Sequence, residues 1–374
     1  MLLRMLIASL LLFNVAIAQT DAFLLIGTYT SGKSEGIYVY DFNTNNAGNK
    51  LLSTLKVSNP SYLAVSPDKK IVYAVSENAK SAQGGSGGGI SALAFDKDKG
   101  SLTLINDQPS GGNHPCYVVV DNTGKWVFAA NYSSGSASMY GVREDGGLEP
   151  VKKLIQHEGS GADKQRQAGP HAHSTVLSPD NKYLFVQDLG LDKIMIYRFD
   201  NTKGTLTPAA QPFVKSVDGS GPRHLDFHPN KKYAYLIEEM TGTVVAFSYH
   251  DGQLKSMQRI SAIPANFKGD IGSADIHVSP DGKFVYCSNR GGSNDLTIFK
   301  IGGDGKLTLV GHQSTMGKTP RNFNFDPSGN FLLAANQESD EVVIFKVDKA
   351  TGLLTDTGKR INVPKPVCVK WITK

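Results

Sequence analysis

The sequence predicts an all-β chain folded as a single seven-bladed β-propeller of four-stranded blades. Three observations predict it: a strand–turn–strand unit that recurs six times, two further apolar runs after each unit, and complementary incomplete units at the two ends. Self-similarity at roughly 40–50 residues, with four strands per repeat, is the sequence signature of propeller blades.

The six units are PSYLAVSPDKKIVYAVSE (60–77), HPCYVVVDNTGKWVFAANY (114–132), GPHAHSTVLSPDNKYLFVQDL (169–189), GPRHLDFHPNKKYAYLIEE (221–239), SADIHVSPDGKFVYCSNR (273–290) and TPRNFNFDPSGNFLLAANQ (319–337). Their turn residues Pro67, Asn122, Pro179, Pro229, Pro280 and Pro327 lie 55, 57, 50, 51 and 47 residues apart. Third and fourth strands follow, as in ISALAFD with GSLTLIND, or LTIFKI with KLTLVGH. Residues 23–57 hold three strands and lack a first one, while PVCVKWI (366–372) is a first strand with nothing after it. Together they make a seventh blade closed by both termini, which removes the open sheet edges of an unclosed ring. The glycine-rich stretch 83–89 falls between the second and third strands of its blade and reads as a surface loop. Its G-x-G matches precede no helix, so they carry little phosphate-binding weight, and no cofactor is expected.

With 374 residues, 40% hydrophobic and 20% charged, the chain can bury a large core. Its formal net charge is +5 with Lys and Arg scattered, so the basic face needed for nucleic-acid binding is missing. Arg4, a nearly unbroken apolar run from Met5 to Val15, and Ala16-Ile17-Ala18 read as a signal peptide cleaved after Ala18. The run is too short for a comfortable membrane span, and no Cys follows it to suggest a lipoprotein. The expectation is therefore a periplasmic or secreted protein, with residues 19–374 forming one domain and no membrane attachment. Cys116, Cys287 and Cys368 sit in separate apolar runs and read as buried thiols, with a Cys116–Cys368 bridge left open.

Repetition also predicts where chemistry sits. The first strand of each blade lines the channel and its turn lies at the bottom, so the start of strand one and the end of strand two meet at the top. Six residues before the turn stand Ser61, Cys116, His173, Arg223, Ala274 and Arg321; at the end of strand two stand Glu77, Tyr132, Leu189, Glu239, Arg290 and Gln337. Purely structural positions would tend to repeat one residue type. These columns diverge into His, Arg and Glu, as a single asymmetric site requires, although salt bridges between blades are the plain alternative. Opening a lactone needs a base for water, donors for the oxyanion and an acid for the leaving alkoxide. Glu239 or His173 is the candidate base, and Arg223 and Arg290 are the candidate anion holders. Alternation along the strand allows only one of Glu238 and Glu239 to face the channel. Further candidate binding residues are His171, His224, Asp275, His277, Arg321, Asn322 and Gln337. His171 and His173 share a strand face, but with no third ligand evident no metal is expected. His114, His157, His228, His250 and His312 read as turn or surface histidines.

The opening LLIGTYTSGKSEGIYVYDF, the units SPDGKFVYCSNRG and TPRNFNFDPSGNFLLAANQ, and the stretch GPRH…E resemble the lactonase family of seven-bladed propellers across the mature chain. That family includes bacterial propeller-type 6-phosphogluconolactonases, and fungal carboxymuconate cyclases share its architecture. The resemblance implies a catalytic His, two Arg and a Glu around the channel. By motif these fall on His173, on Arg223 in GPRH, on Glu239 sixteen residues later, and on Arg290 in SNRG. It further implies a small anionic lactone or sugar acid as substrate and metal-independent hydrolysis. A cyclase acting on a diacid, or a non-catalytic binding propeller of the cell envelope, are the alternatives. An export signal sits awkwardly with a phosphogluconolactone substrate, which belongs to a cytoplasmic pathway.

Overall fold

A computed structural model describes residues 21–80 and 87–374. The expected signal peptide and most of the glycine-rich stretch 83–89 lie outside the described residues. What is described forms seven four-stranded antiparallel sheets. In six of them the strands run in chain order; the seventh joins the last strand of the chain, Pro366–Thr373, to Ala22–Thr28, Gly36–Phe42 and Asn49–Lys56. Closure by both termini is as expected, with Leu24 opposite Trp371 and Ile26 opposite Val369.

The first strands, Leu63–Val65, Pro115–Val120, Ala172–Leu177, Pro222–Phe227, Ser273–Val278, Pro320–Phe325 and Pro366–Thr373, touch one another in cyclic order and wall the channel. Apolar clusters wedge between neighbouring blades, such as Phe284, Tyr286 and Ile298 of one blade against Phe323, Phe325 and Phe345 of the next. Burying these faces is the main favourable term in holding the ring shut. Polar latches add direction to it. Tyr73, Tyr235 and Tyr286, on second strands, donate to the carbonyls of Gly146, Gly305 and Gly352 in the next blade. Those glycines have φ near +80°, and a Cβ on Gly305 would lie 2.5 Å from the Tyr233 ring. Glycine is needed there on both counts.

The repeated turn after each first strand has a local cause. Ser178, Ser279 and Asp326, just before it, accept the backbone N–H of Tyr183, Phe284 and Phe331 just after it. The fourth turn residue is left-handed in all six internal units, at Lys69, Gly124, Asn181, Lys231, Gly282 and Gly329. Pro, Asp and Asn at the preceding positions suit a tight turn, and Gly or Asn at the fourth in four of the units suits the left-handed backbone. All three cysteines are buried and free, so Cys116 and Cys368 are not bridged.

Candidate active site

Four first strands begin with the same irregularity. Pairing with the second strand skips a residue between Pro115 and Tyr117, Ala172 and Ser174, Pro222 and His224, and Pro320 and Asn322. The skipped residues are Cys116, His173, Arg223 and Arg321, all members of the first diverging column. A bulge leaves its residue unpaired and re-aims the side chain. The bulges turn that column toward the channel's upper end, where Ser61, Cys116, His173, Arg223 and Arg321 line one narrow cavity with Tyr62, His224, Asn322 and Val367.

The second column forms a ring above it. Glu239 N–H donates to Gly221 O at 2.8 Å and Arg290 N–H to Gly272 O at 3.1 Å, pinning the end of strand two to the entrance of strand one. The Glu239 carboxylate receives three arginines: Arg223 Nε at 2.9 Å and Arg290 Nη2 at 3.2 Å on Oε2, and Arg166 Nη2 at 2.7 Å on Oε1. Glu238 points elsewhere and is buried against the Arg259 guanidinium at 2.5 Å. The open choice between the two glutamates thus resolves in favour of Glu239. The residues preceding the second column tie blades together: Asn131, Asn289 and Asn336 donate to the carbonyls of Ser110, Ala262 and Thr315, which follow the last strand of the preceding blade. Across the ring Tyr29 donates to Glu77 at 2.8 Å, Ser61 donates to the same carboxylate, and Arg321 lies 5.4 Å from the Tyr29 ring centre. His171 stacks on Tyr132 with centroids 4.6 Å apart, and Tyr132 meets His173 edge-on at 5.5 Å.

Below the cavity the channel is filled. Tyr62 and Tyr117 stack at 4.0 Å, with His224 edge-on to both. Asp275 accepts from His224 Nδ1 at 2.7 Å and from His277 Nε2 at 3.0 Å. His277 also faces Asp226 at 3.8 Å. Asn322 lines the cavity while its amide joins Asp275 to Val369 N–H. Of the expected binding residues, Asp275 and His277 therefore lie beneath the cavity and contact other side chains there. Gln337 departs furthest from expectation. A one-turn 3-10 helix, Gln337–Ser339, starts at that position, and the Gln337 amide donates to Glu338 at 2.8 Å. His157 is a second correction: it is buried, 2.6 Å from Asp188 and 3.1 Å from the Tyr197 hydroxyl.

Electrostatics set the charge states. Burial raises the pKa of Glu239, but Arg290, Arg223 and Arg166 outweigh it and bring the carboxyl down to about 2. His173 is held well below the ordinary imidazole range by burial and by Arg223, His224, Arg321 and Arg290, so the ring is neutral. His224 falls to about 4 through burial and Arg223, against the pull of Asp275. Four guanidiniums (Arg166, Arg223, Arg290, Arg321) face two carboxylates (Glu77, Glu239), a surplus of two positive charges. Such a site favours an anionic ligand.

Sequence reasoning missed Arg166, Tyr29 and the inward-facing role of Glu77. Tyr29 follows the second strand of the closing blade as Glu77 follows its own, so counting the terminal blade would have found it. Arg166 lies on the long connection between Leu148–Gln156 and Ala172–Leu177, outside the repeat, where no register points to it.

A family model described as "Lactonase, 7-bladed beta-propeller" matches residues 23–371. The 6-phosphogluconolactonase of Bacillus subtilis is 38% identical over 354 residues, covering 93% of this chain and 97% of the relative. That of Formosa agariphila is 40% identical over 336 residues, covering 88% and 94%. Among solved structures, a periplasmic gluconolactonase of Pseudomonas aeruginosa superposes with a TM-score of 0.89 at 36% identity, covering 94% of this chain and 99% of that one.

Proposed function

The chain belongs to the lactonase family of seven-bladed β-propellers, and on that premise we propose that it hydrolyses a sugar-acid lactone, in the manner of a 6-phosphogluconolactonase, at the channel's upper end. One observation carries the reading: Glu239 is gripped by three arginines, and one of them, Arg223, lines a cavity together with the neutral His173 and with Arg321.

The arrangement supports a single-carboxylate cycle. Arg223 and Arg290 bind the lactone carbonyl oxygen as it becomes an oxyanion, where fixed cationic donors in a dry site act most strongly. As they share their charge with the oxyanion their hold on Glu239 slackens, and its carboxylate gains basicity enough to take a proton from water. Hydroxide adds to the carbonyl carbon, the ring C–O bond breaks, and the leaving alkoxide takes the proton back. Glu239, acidic among arginines, is a strong donor for that second transfer. The neutral His173 orients the water by hydrogen bonding, and the aldonic acid then ionises in bulk solvent.

Glu239→Gln keeps the shape and removes the base. It should lower the rate constant for opening 6-phosphogluconolactone or gluconolactone by about 10²–10⁴-fold, the usual weight of such a group. Full activity in a folded variant would overturn the assignment. Running both lactones and a muconate-type diacid side by side separates hydrolysis of the phosphorylated lactone, hydrolysis of the neutral lactone, and cyclisation. We further propose that the chain is exported and cleaved after Ala18. The apolar run and small residues near the N-terminus support this, as does the likeness to a periplasmic gluconolactonase. The N-terminal sequence of the mature protein from the periplasm or medium tests it; a retained Met1 in the cytoplasm would refute it.

A further inference from the structure

Asp275 has five hydrogen-bond partners. On Oδ1 it receives His224 Nδ1 at 2.7 Å and the Ile276 N–H at 3.0 Å; on Oδ2 it receives His277 Nε2 at 3.0 Å, the Asn322 amide and the Phe323 N–H at 3.4 Å. The Ile276 N–H, the Asn322 amide and the Phe323 N–H can only donate, and His277 and His224 hold the Asp275 carboxyl well below the usual range despite burial, so it is an ionised carboxylate that accepts from all five. His224 is thereby fixed as the tautomer with hydrogen on Nδ1 and a bare Nε2. That bare nitrogen lies 3.3 Å from Arg223 Nη1, which can only donate. Nη1 gives its other hydrogen to Ala274 O at 2.5 Å, and Nε serves Glu239 at 2.9 Å. Nη2 makes no hydrogen bond among the described residues, and Arg223 lines the cavity.

We propose that Asp275 and His224 are positioning residues for Arg223: the carboxylate sets the imidazole tautomer, and the bare Nε2 holds the guanidinium so that Nε reaches Glu239 while Nη2 is left for substrate. The chain Asp275–His224–Arg223–Glu239 thus crosses three positions on two neighbouring first strands and the end of one second strand. Arg223 is 1% exposed, so bulk solvent is a poor replacement for a lost acceptor at Nη1. The low proton affinity of His224 agrees with a ring that must stay unprotonated beside an arginine. This assignment rests on the lactonase reading for its activity measurements.

The alternative is that His224 merely packs its ring against Tyr62 and Tyr117, with centroids 6.0 and 5.3 Å away. Two substitutions separate them. His224→Phe keeps the ring and removes the acceptor, whereas His224→Gln loses the ring and keeps an oxygen that can accept from Arg223. Positioning expects kcat/KM to fall about 10–100-fold in H224F and distinctly less in H224Q, the scale of a buried donor left unmet. Packing expects the reverse order. Because His224 acts through Arg223, H224F added to R223K should cost no further loss beyond about threefold, whereas independent roles multiply. The same cycle is read by calorimetric binding of 6-phosphogluconate and gluconate, so it does not depend on turnover. A wild type that opens neither lactone defeats the lactonase reading alone. H224F losses that multiply fully with R223K, or exceed nothing in H224Q, defeat the positioning role. If H224F does not fold by thermal melting, Asp275→Asn replaces it, since its amide sets a donor against one of the five; unchanged activity and binding in folded D275N would likewise overturn the proposal.

Discussion

Glu239 is a residue whose charge state is decided by its neighbours and not by its type. Three arginines keep it ionised down to about pH 2, so the acid side of the kcat/KM profile should show no ordinary carboxylate step near 4.5. The signs for stability follow by linkage. Glu239 is depressed on folding, so its stabilisation is complete above its ordinary value near 4.5 and is lost as pH falls toward 2. His224 is depressed from 6.5 to about 4, so the unfolded chain takes up its proton first and stability falls from pH 6.5 to about 4. The groups facing His224 are Asp275 and His277 on one strand, His173 and Tyr117 on two others, Tyr62, and its neighbour Arg223. Melting temperatures at pH 7, 5.5 and 4 should decline less steeply in H224Q than in wild type, with a residue of slope from His173. An unchanged slope would show that His224 does not titrate in that window. Arg166, half-exposed on its loop, belongs to the same scale. R166A should raise KM for the phosphorylated lactone by roughly tenfold or less, as expected for an exposed charge contact, and barely move the melting temperature. The columns of the repeat exposed His173, Arg223, Glu239, Arg290 and Arg321 because those residues break a pattern. Arg166 broke none.

Among elements, the first strands do two jobs with one sequence. Their lower parts pair regularly and their entrances bulge, which is why adjacent residues such as Arg223 and His224 can both reach the channel interior. Simple alternation would send one of them outward. That is also why Asp275 and His277 read as binding residues in the sequence yet sit beneath the cavity: depth along a strand depends on where the bulge falls. The long connection carrying Arg166 is anchored by His157 on Asp188 and by Gln167 on Leu189 O and Asp192, each at 2.6–2.8 Å. His157→Ala leaves a buried carboxylate short of its partner and should cost about 1–3 kcal/mol, read as a melting temperature lower by several degrees. If the melt is unchanged, the loop is held by other contacts.

For the whole molecule, closure is the decisive event. Without Pro366–Thr373 the strand Ala22–Thr28, buried along its whole length, would present an unpaired apolar edge. Truncation before Pro366 should therefore abolish the cooperative melt and drive the protein into aggregates, measured by solubility and by scanning calorimetry. A soluble truncated chain with a normal melt would show that the ring tolerates an open blade. Closure also explains how a site can draw on residues as distant as Tyr29, Glu77, Arg166 and Arg321: every blade contributes one position at the same height.

The amino-acid sequence by itself determined the seven blades, the strand and turn positions, the closing pair of termini and most of the charged residues at the upper end of the channel. Those properties are local or periodic, and a repeat writes them out several times. Only the tertiary structure decided that Glu239 and not Glu238 turns inward, that Gln337 turns away into a short helical turn, and that Asp275, His224 and Arg223 form one hydrogen-bonded chain. Such facts depend on bulges, on a loop outside the repeat and on contacts between blades some fifty residues apart in the chain. Periodicity places a residue on the ring, but the field and the hydrogen bonds around it come from the neighbours that closure brings together.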